Sequence, residues 1–231
     1  MPVAIITGAS RGFGRALARA LTSEGWDLVI DARDPNALLA SAEPLGASGV
    51  VRAVPGDVAD GAHRAALVAA AAELGGIDLL VNNASVLGPS PQPGLADYPL
   101  DVLAHVFEVN TLAPLALAQL ALPRLRERHG VIVNITSDAA VEPYEGWGGY
   151  GSSKAALEQL GNVLGAEESL VRVYTFDPGD MRTQMHQEAF PGEDISDRPE
   201  PETVVPALLR LLHDAPASGR YRGADFATVT P

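Results

Sequence analysis

The 231-residue chain contains no cysteine, which excludes disulfides, thiolate nucleophiles and cysteine-ligated metals. Histidine is sparse. His63, His105, His129, His186 and His213 are scattered without metal-ligand spacing, so all five read as surface or loop residues and no metal is expected. Positive charge is in deficit, with 16 Lys and Arg against 29 Asp and Glu and a net charge of -13. Such a chain repels phosphate backbones, which argues against nucleic acid and equally against an anionic membrane surface. No apolar run reaches the ~18 residues needed to cross a bilayer. No basic segment precedes the apolar residues 3–6, so a signal peptide is not expected, and the chain reads as cytoplasmic. Apolar residues at 47% against charged residues at 19% rule out a disordered chain.

The rarest functional residue is lysine. Lys154 is the only one, and every other basic side chain apart from histidine is an arginine. It closes the run Tyr150-Gly-Ser-Ser-Lys154, which opens an apolar-periodic segment (Ala155, Ala156, Leu157, Leu160, Val163, Leu164) and so reads as the start of a buried helix. Residues four apart share a helix face, so Tyr150 and Lys154 point the same way. A phenol with an ordinary pKa near ~10 is a poor acid or base at neutral pH. A fixed ammonium beside it favours the phenolate, which makes the pair a candidate proton-transfer site. Taken alone, a Tyr and a Lys at this spacing also describe a solvated helix face, so the pair needs partners.

The rest of the chain supplies them. Residues 3–6 form a short β-branched run that leads into Thr7-Gly8-Ala-Ser10-Arg11-Gly12-Phe13-Gly14 and then an amphipathic helix. Strand, glycine turn and helix form the layout of a phosphate cradle: the glycines allow close backbone approach, and the helix start offers free amides and positive dipole. Strand and helix signals then alternate. Strands are expected over 28–30, 50–54, 77–81, 131–135 and 171–176, with helices over 35–45, 62–74, 100–125 (kinked or bridged at Pro114), 150–168 and 202–213. A short strand is possible near 221–226. Residues 180–200 are polar, carry Pro191, Gly192 and Pro199, and read as a substrate loop or lid. The fold class is therefore α/β: one Rossmann-type, doubly wound parallel sheet with helices on both faces. Ligands of such sheets bind beyond the carboxyl ends of the strands, where the glycine turn, Asp57, Asn82, Ser137 and Asp177 all fall.

At this point the chain resembles the short-chain dehydrogenase/reductase family over nearly its whole length. The resemblance rests on Gly8-x-x-x-Gly12-x-Gly14, Asn82-Asn83-Ala84, Asn110, Ser137, Tyr150-x-x-x-Lys154 and Asp177-Pro178-Gly179 through Thr183, in family order and spacing. Ser85 departs from it, standing where the family usually has glycine, and the end after Gly219 does not clearly match the usual last strand and tail. The resemblance implies one dinucleotide-binding and catalytic domain over 1–231. It assigns catalysis to Asn110, Ser137, Tyr150 and Lys154. Tyr150 is the implied proton donor, Lys154 lowers its pKa and holds the nicotinamide ribose, Ser137 binds the substrate oxygen, and Asn110 holds a water. It implies cofactor contacts from Gly8, Ser10, Arg11, Gly12, Phe13 and Gly14. Further contacts are implied from Arg33, Asp57, Val58, Asn83 and Ala84, and from Pro178, Gly179, Met181 and Thr183 together with Tyr150 and Lys154.

The expected cofactor is NADP(H), with NAD(H) not excluded. NAD-preferring relatives carry an acid at the end of the second strand. Here Ala32 aligns with that position, Arg33 follows, and Arg11 is a second cation for a 2′-phosphate. A shift of one residue would put Asp31 in the acid's place and reverse the preference. The implied function is carbonyl reduction by hydride transfer, most readily as a ketone reductase on a small molecule. An NAD-linked alcohol dehydrogenase and a non-catalytic NADP(H) sensor on the same fold are the alternatives. Tyr144 and Trp147, beside Ser137 and Tyr150, read either as a substrate-stacking wall or as loop anchors. The family also implies a homodimer or homotetramer.

Overall fold

The computed structural model describes residues 1–46 and 49–226. Among them the alternation of short apolar runs and periodic segments gives β1 (Val3–Ile6), α1 (Gly12–Ser23), β2 (Asp27–Ala32), α2 (Pro35–Ala42), β3 (Val51–Pro55), α3 (Gly61–Glu73) and β4 (Leu79–Asn82). The second half adds α4 (Leu100–Phe107), α5 (Ala113–Arg128), β5 (Val131–Ile135), α6 (Gly148–Glu167), β6 (Arg172–Asp177), α7 (Gln184–Ala189), α8 (Pro201–Asp214) and β7 (Gly219–Arg222). The strands make one seven-stranded sheet in the order β3-β2-β1-β4-β5-β6-β7, parallel throughout. The order reverses at β1, so a crevice opens between the β1 and β4 ends.

Strand alternation divides the core into two layers. Val3 and Ile5 face one side, packing with Leu67 of α3, Leu117 and Leu125 of α5, and Val173. Ala4 and Ile6 face the other, with Leu17 of α1, Leu38 of α2 and Leu208 of α8. Both layers are dry and fully buried, so the sheet is a rigid platform and variation is left to its rim.

Several expectations are corrected. The helix after Pro35 ends at Ala42 and tightens to a 3₁₀ turn over Glu43–Leu45, where Pro44 offers no N–H. Residues 100–128 form one helix that passes through a π turn at Glu108–Leu112, and Pro114 stands in the first turn of α5, bridging the two segments. That helix is long and apolar enough to cross a membrane by length and composition. Here Leu117, Ala121 and Leu125 instead pack it against the sheet. The region 180–200 contains a helix, α7, whose start is capped by Thr183 Oγ1 accepting from the His186 amide at 3.2 Å. The last strand is present after all: β7 pairs with β6 from Tyr174–Gly219 to Asp177–Arg222, and residues 223–226 are a 3₁₀ turn. His63, read as a surface residue, is buried on α3.

Candidate active site

The glycine turn is held by a lattice of hydrogen bonds to the segment after β4. Thr7 Oγ1 accepts from the Asn83 and Ala84 amides, both at 3.0 Å, and the Asn83 side chain donates back to Thr7 O at 2.8 Å and Gly8 O at 3.1 Å. Gly8 has φ +67°, and a Cβ there would lie 2.9 Å from Ala84 Cα; a Cβ on Gly14 would lie 2.5 Å from Asn83 Nδ2. Gly8 therefore supplies the turn, while Gly14 supplies close packing and does not line the cavity. The α1 N-terminus has no side-chain cap, which leaves its first amides open to a ligand.

A cavity of about 900 Å³ runs along the strand ends. Gly8, Arg11, Arg33, Asp57, Val58, Asn83, Ser137, Tyr150, Lys154 and Gly179 all line it. Ser10, Gly12, Phe13, Ala84, Pro178, Met181 and Thr183 line it too, so the expected cofactor residues come together there apart from Gly14. A cavity of this size, lined by the glycine turn, an uncapped helix start and two guanidiniums, fits a dinucleotide. Arg11 also reaches across to Gln184 of α7, tying the lid to the glycine turn.

The catalytic candidates are brought together with corrections to their roles. Tyr150 and Lys154 lie on the first turns of α6, both buried, with the ammonium 5.5 Å from the phenol ring centre. Lys154 Nζ donates to Ile135 O at 2.9 Å. Burial pushes the Lys154 ammonium down from its ordinary 10.5 to about 8, with Glu158 opposing. Burial also raises the Tyr150 phenol, against the expectation that Lys154 pulls it down; the hydroxyl of Ser85 is the group that works to lower it. The ammonium sits over the ring face, not at the hydroxyl, and so does not outweigh desolvation.

Ser137 donates to Asp138 Oδ1 at 2.9 Å and accepts from the Ala139 amide at 3.2 Å, so it caps a short turn while lining the cavity. Asn110 sits in the π turn, fully buried and away from the cavity. Its Oδ1 accepts from the Val86 amide at 2.8 Å and Ser85 Oγ at 3.0 Å, while Nδ2 donates to Val86 O at 2.9 Å and Ser153 Oγ at 3.0 Å. With all four of its amide bonds made within the protein, the side chain positions the Ser85-Val86 wall.

Part of the cavity lining is aromatic. Trp147, immediately before α6, packs against Tyr150 at 5.9 Å, Phe190 at 5.8 Å and Tyr144 at 6.5 Å between ring centres. Tyr144 donates to Asp138 Oδ2 at 2.9 Å. Both residues anchor the loop, and both line the cavity.

Two polar clusters escaped the sequence reading. Glu158 Oε1, one turn beyond Lys154, accepts from Thr136 Oγ1 at 2.7 Å and Arg220 Nε at 3.0 Å, and Arg220 also pairs with Asp177 at 2.9 Å. The i,i+4 relation of Lys154 and Glu158 is the signal that would have found the first. The second joins Asp31 of β2 to His63 of α3 at 2.9 Å.

A parallel sheet with a glycine cradle at its switch point and a Tyr-Lys pair beside a serine defines a nucleotide-dependent oxidoreductase. Comparison with known proteins gives the family. The short chain dehydrogenase model matches residues 2–194. Sepiapterin reductase of Mus musculus is 37% identical over 200 residues, 80% of this chain and 76% of that protein. Serine 3-dehydrogenase of Rhizobium radiobacter is 36% identical over 186 residues, covering 78% and 72%. The alcohol dehydrogenase of Thermococcus sibiricus, solved with 5-hydroxy-NADP, superposes with a TM-score of 0.86 at 28% identity, covering 96% of this chain and 95% of that one. The chain belongs to the short-chain dehydrogenase family.

Proposed function

We propose that this protein is an NADP(H)-dependent oxidoreductase that interconverts a small carbonyl compound and its secondary alcohol, acting as a ketone reductase. One observation carries the reading: Tyr150, Lys154 and Ser137 line the same cavity as Arg11 and Arg33. The Thermococcus relative, solved with an NADP derivative, supports the nucleotide. A nicotinamide nucleotide held in this cradle supplies hydride for reduction or accepts it for oxidation.

The chain's own residues do the rest. The Gly8–Gly14 turn and the α1 start hold the pyrophosphate, and Arg33 with Arg11 pairs with the 2′-phosphate. Lys154 holds the ribose next to the nicotinamide. Ser137 turns from Asp138 to donate to the substrate oxygen and fix its position. Tyr150 gives that oxygen its proton as the carbonyl carbon is reduced and takes one up again afterwards; Ser85 stabilises the phenolate in between. Asn110 keeps Ser85 in reach. Relatives named for sepiapterin and for serine differ in substrate, so selection falls to the Tyr144-Trp147 wall and the lid residues Met185, His186 and Phe190. Exposed Leu112, Leu120 and Val163, on and beside α5 and α6, supply the surface for a homodimer or homotetramer.

The test is nucleotide oxidation with NADPH and NADH against ketones, aldehydes, quinones and bicyclic aromatic carbonyls. Turnover with NADPH on any of them is expected. Tight NADPH binding with no turnover across the panel would favour either a very narrow substrate or a sensor, and no binding of either nucleotide would overturn the reading.

A further inference from the structure

We propose that His63 sets which nucleotide this protein takes, as a positioning residue acting through Asp31; the inference rests on the NADP(H) reading above. His63 lies on the first turn of α3, one face with Leu67 and Ala71, and is 8% exposed. Its Nε2 meets Asp31 Oδ2 at 2.9 Å, and the other carboxylate oxygen accepts from the Gly8 amide at 2.7 Å. The Asp31 carbonyl takes the Ala9 amide at 2.9 Å. A Cβ on Gly56 would fall 2.2 Å from His63 Nδ1, so the imidazole is seated against the turn before Asp57. One ring thus braces the end of β2, the glycine turn and the turn after β3. Asp31, Gly8 and Gly56, one residue from each, line the same cavity as Arg33.

The consequence concerns charge. A carboxylate at the end of the second strand is the group that dinucleotide folds use to bind a ribose 2′-hydroxyl, and it repels a 2′-phosphate. Asp31 has that chemistry, stands one residue before Ala32 and lines the same cavity. Its two partners withhold it: Gly8 satisfies one oxygen and His63 the other. Without His63, a buried carboxylate oxygen is left without a partner, and the cavity that Asp31 lines is where it can find one. Asp31 then competes for the 2′ position that Arg33 and Arg11 otherwise read alone. The imidazole acts at a distance, by keeping an acid occupied.

The experiment is calorimetric titration of NADP⁺ and NAD⁺ into the wild type, His63→Ala, His63→Gln and His63→Ala/Asp31→Asn, with thermal melts alongside. The wild type is expected to bind NADP⁺ more tightly. His63→Ala should cut the NADP⁺/NAD⁺ affinity ratio by about tenfold or more, because it leaves a buried charge unpaired. His63→Gln, whose amide still donates to Asp31, should hold the ratio within about threefold. Removing the carboxylate in the double variant should restore the NADP⁺ preference, a rescue that general loosening of the fold does not produce. If His63→Ala does not melt cooperatively, His63→Asn takes its place, since the shorter amide falls short of Asp31. An unchanged ratio in the Ala or Asn variant, or a double variant that is not rescued, overturns the role of His63 and leaves the NADP(H) reading intact. A wild type that binds neither nucleotide, or prefers NAD⁺, overturns that reading itself and the inference with it.

Discussion

Replacing Lys154 with methionine should make the protein more stable and inactive. The lysine is 2% exposed, and burial brings its ammonium down from 10.5 to about 8. Between those values the unfolded chain keeps a proton that the folded chain has lost, so stability rises with pH across that window. Below about 8 both states are charged, and the folded protein bears the whole cost of a buried ammonium. At about 1.4 kcal/mol per pH unit the gap amounts to roughly 3 kcal/mol. Methionine keeps the unbranched stem without the charge. It also forfeits the bond to Ile135 O, worth about 1 kcal/mol, so a net gain of roughly 2 kcal/mol is expected at pH 7. Urea denaturation of both proteins at pH 7 and pH 9.5 reads the effect. The advantage of the variant should shrink by roughly 2 kcal/mol at the higher pH, as the wild-type lysine deprotonates in the fold. A difference that does not move with pH would refute the argument, because the cost would then lie in packing and not in charge.

Tyr150→Phe should keep nucleotide affinity within a few-fold while turnover falls by about 10²–10⁴, the usual worth of a positioned acid. Titration and steady-state rates separate the two, and retained turnover removes Tyr150 from the chemistry. Gly14→Ala places a methyl 2.5 Å from Asn83 Nδ2 and should cost about 1–3 kcal/mol in denaturation and weaken nucleotide binding. An unaffected variant would show that the turn and the Asn83 segment are not in rigid contact. Arg220→Leu leaves Glu158 and Asp177, both buried, without their shared cation. Arg220 is a quarter exposed, so the loss should be about 2 kcal/mol and not the full cost of a wholly buried pair. Burial already raises Asp177, and the guanidinium opposes it; without Arg220 the carboxyl rises further. A carboxyl raised in the fold destabilises while ionised, so the deficit should shrink as pH falls and widen towards neutral. Melts between pH 5 and pH 8 check the sign, and a deficit that grows on acidification would contradict it.

The first six strands are legible in the chain because each is a short apolar run closed by a turn signal. The glycine cradle and Ser137 are legible because their chemistry sits at strand ends, and Tyr150 and Lys154 because the only lysine stands four residues after a tyrosine on a helix. What escapes the reading depends on which way a side chain points. Asp31 and Ala32 are adjacent, and only the strand pleat decides that the acid turns to Gly8 and His63. Spacing between histidines says nothing about His63; its place four residues before Leu67 on a buried stripe is the informative signal. Asn110 is picked out by its motif, yet its amide is spent on Val86, Ser85 and Ser153, contacts that arise only when the α4–α5 helix packs beside α6. β7 is too short and polar to announce itself, and Arg220 earns its position through partners on two other elements.

Those partners share a pattern. Thr7, Asp31, Asn82, Asn134, Thr136 and Asp177 are buried polar residues at or just beyond the carboxyl ends of β1, β2, β4, β5 and β6. Each is bonded to another segment of the rim: Thr7 to Asn83, Asp31 to Gly8, Asn82 to Asn134, Thr136 to Glu158 and Asp177 to Arg220. A buried polar group is tolerated only when its bonds are made, so each of these side chains fixes a distance across the cavity floor. The ionisable groups that line the cavity can then be few and individually costly, such as the desolvated ammonium of Lys154 and the phenol of Tyr150, raised by burial. Reorganising them would require breaking bonds that water cannot replace, and this is the physical sense in which the rim is preorganised for transfer of a hydride and a proton.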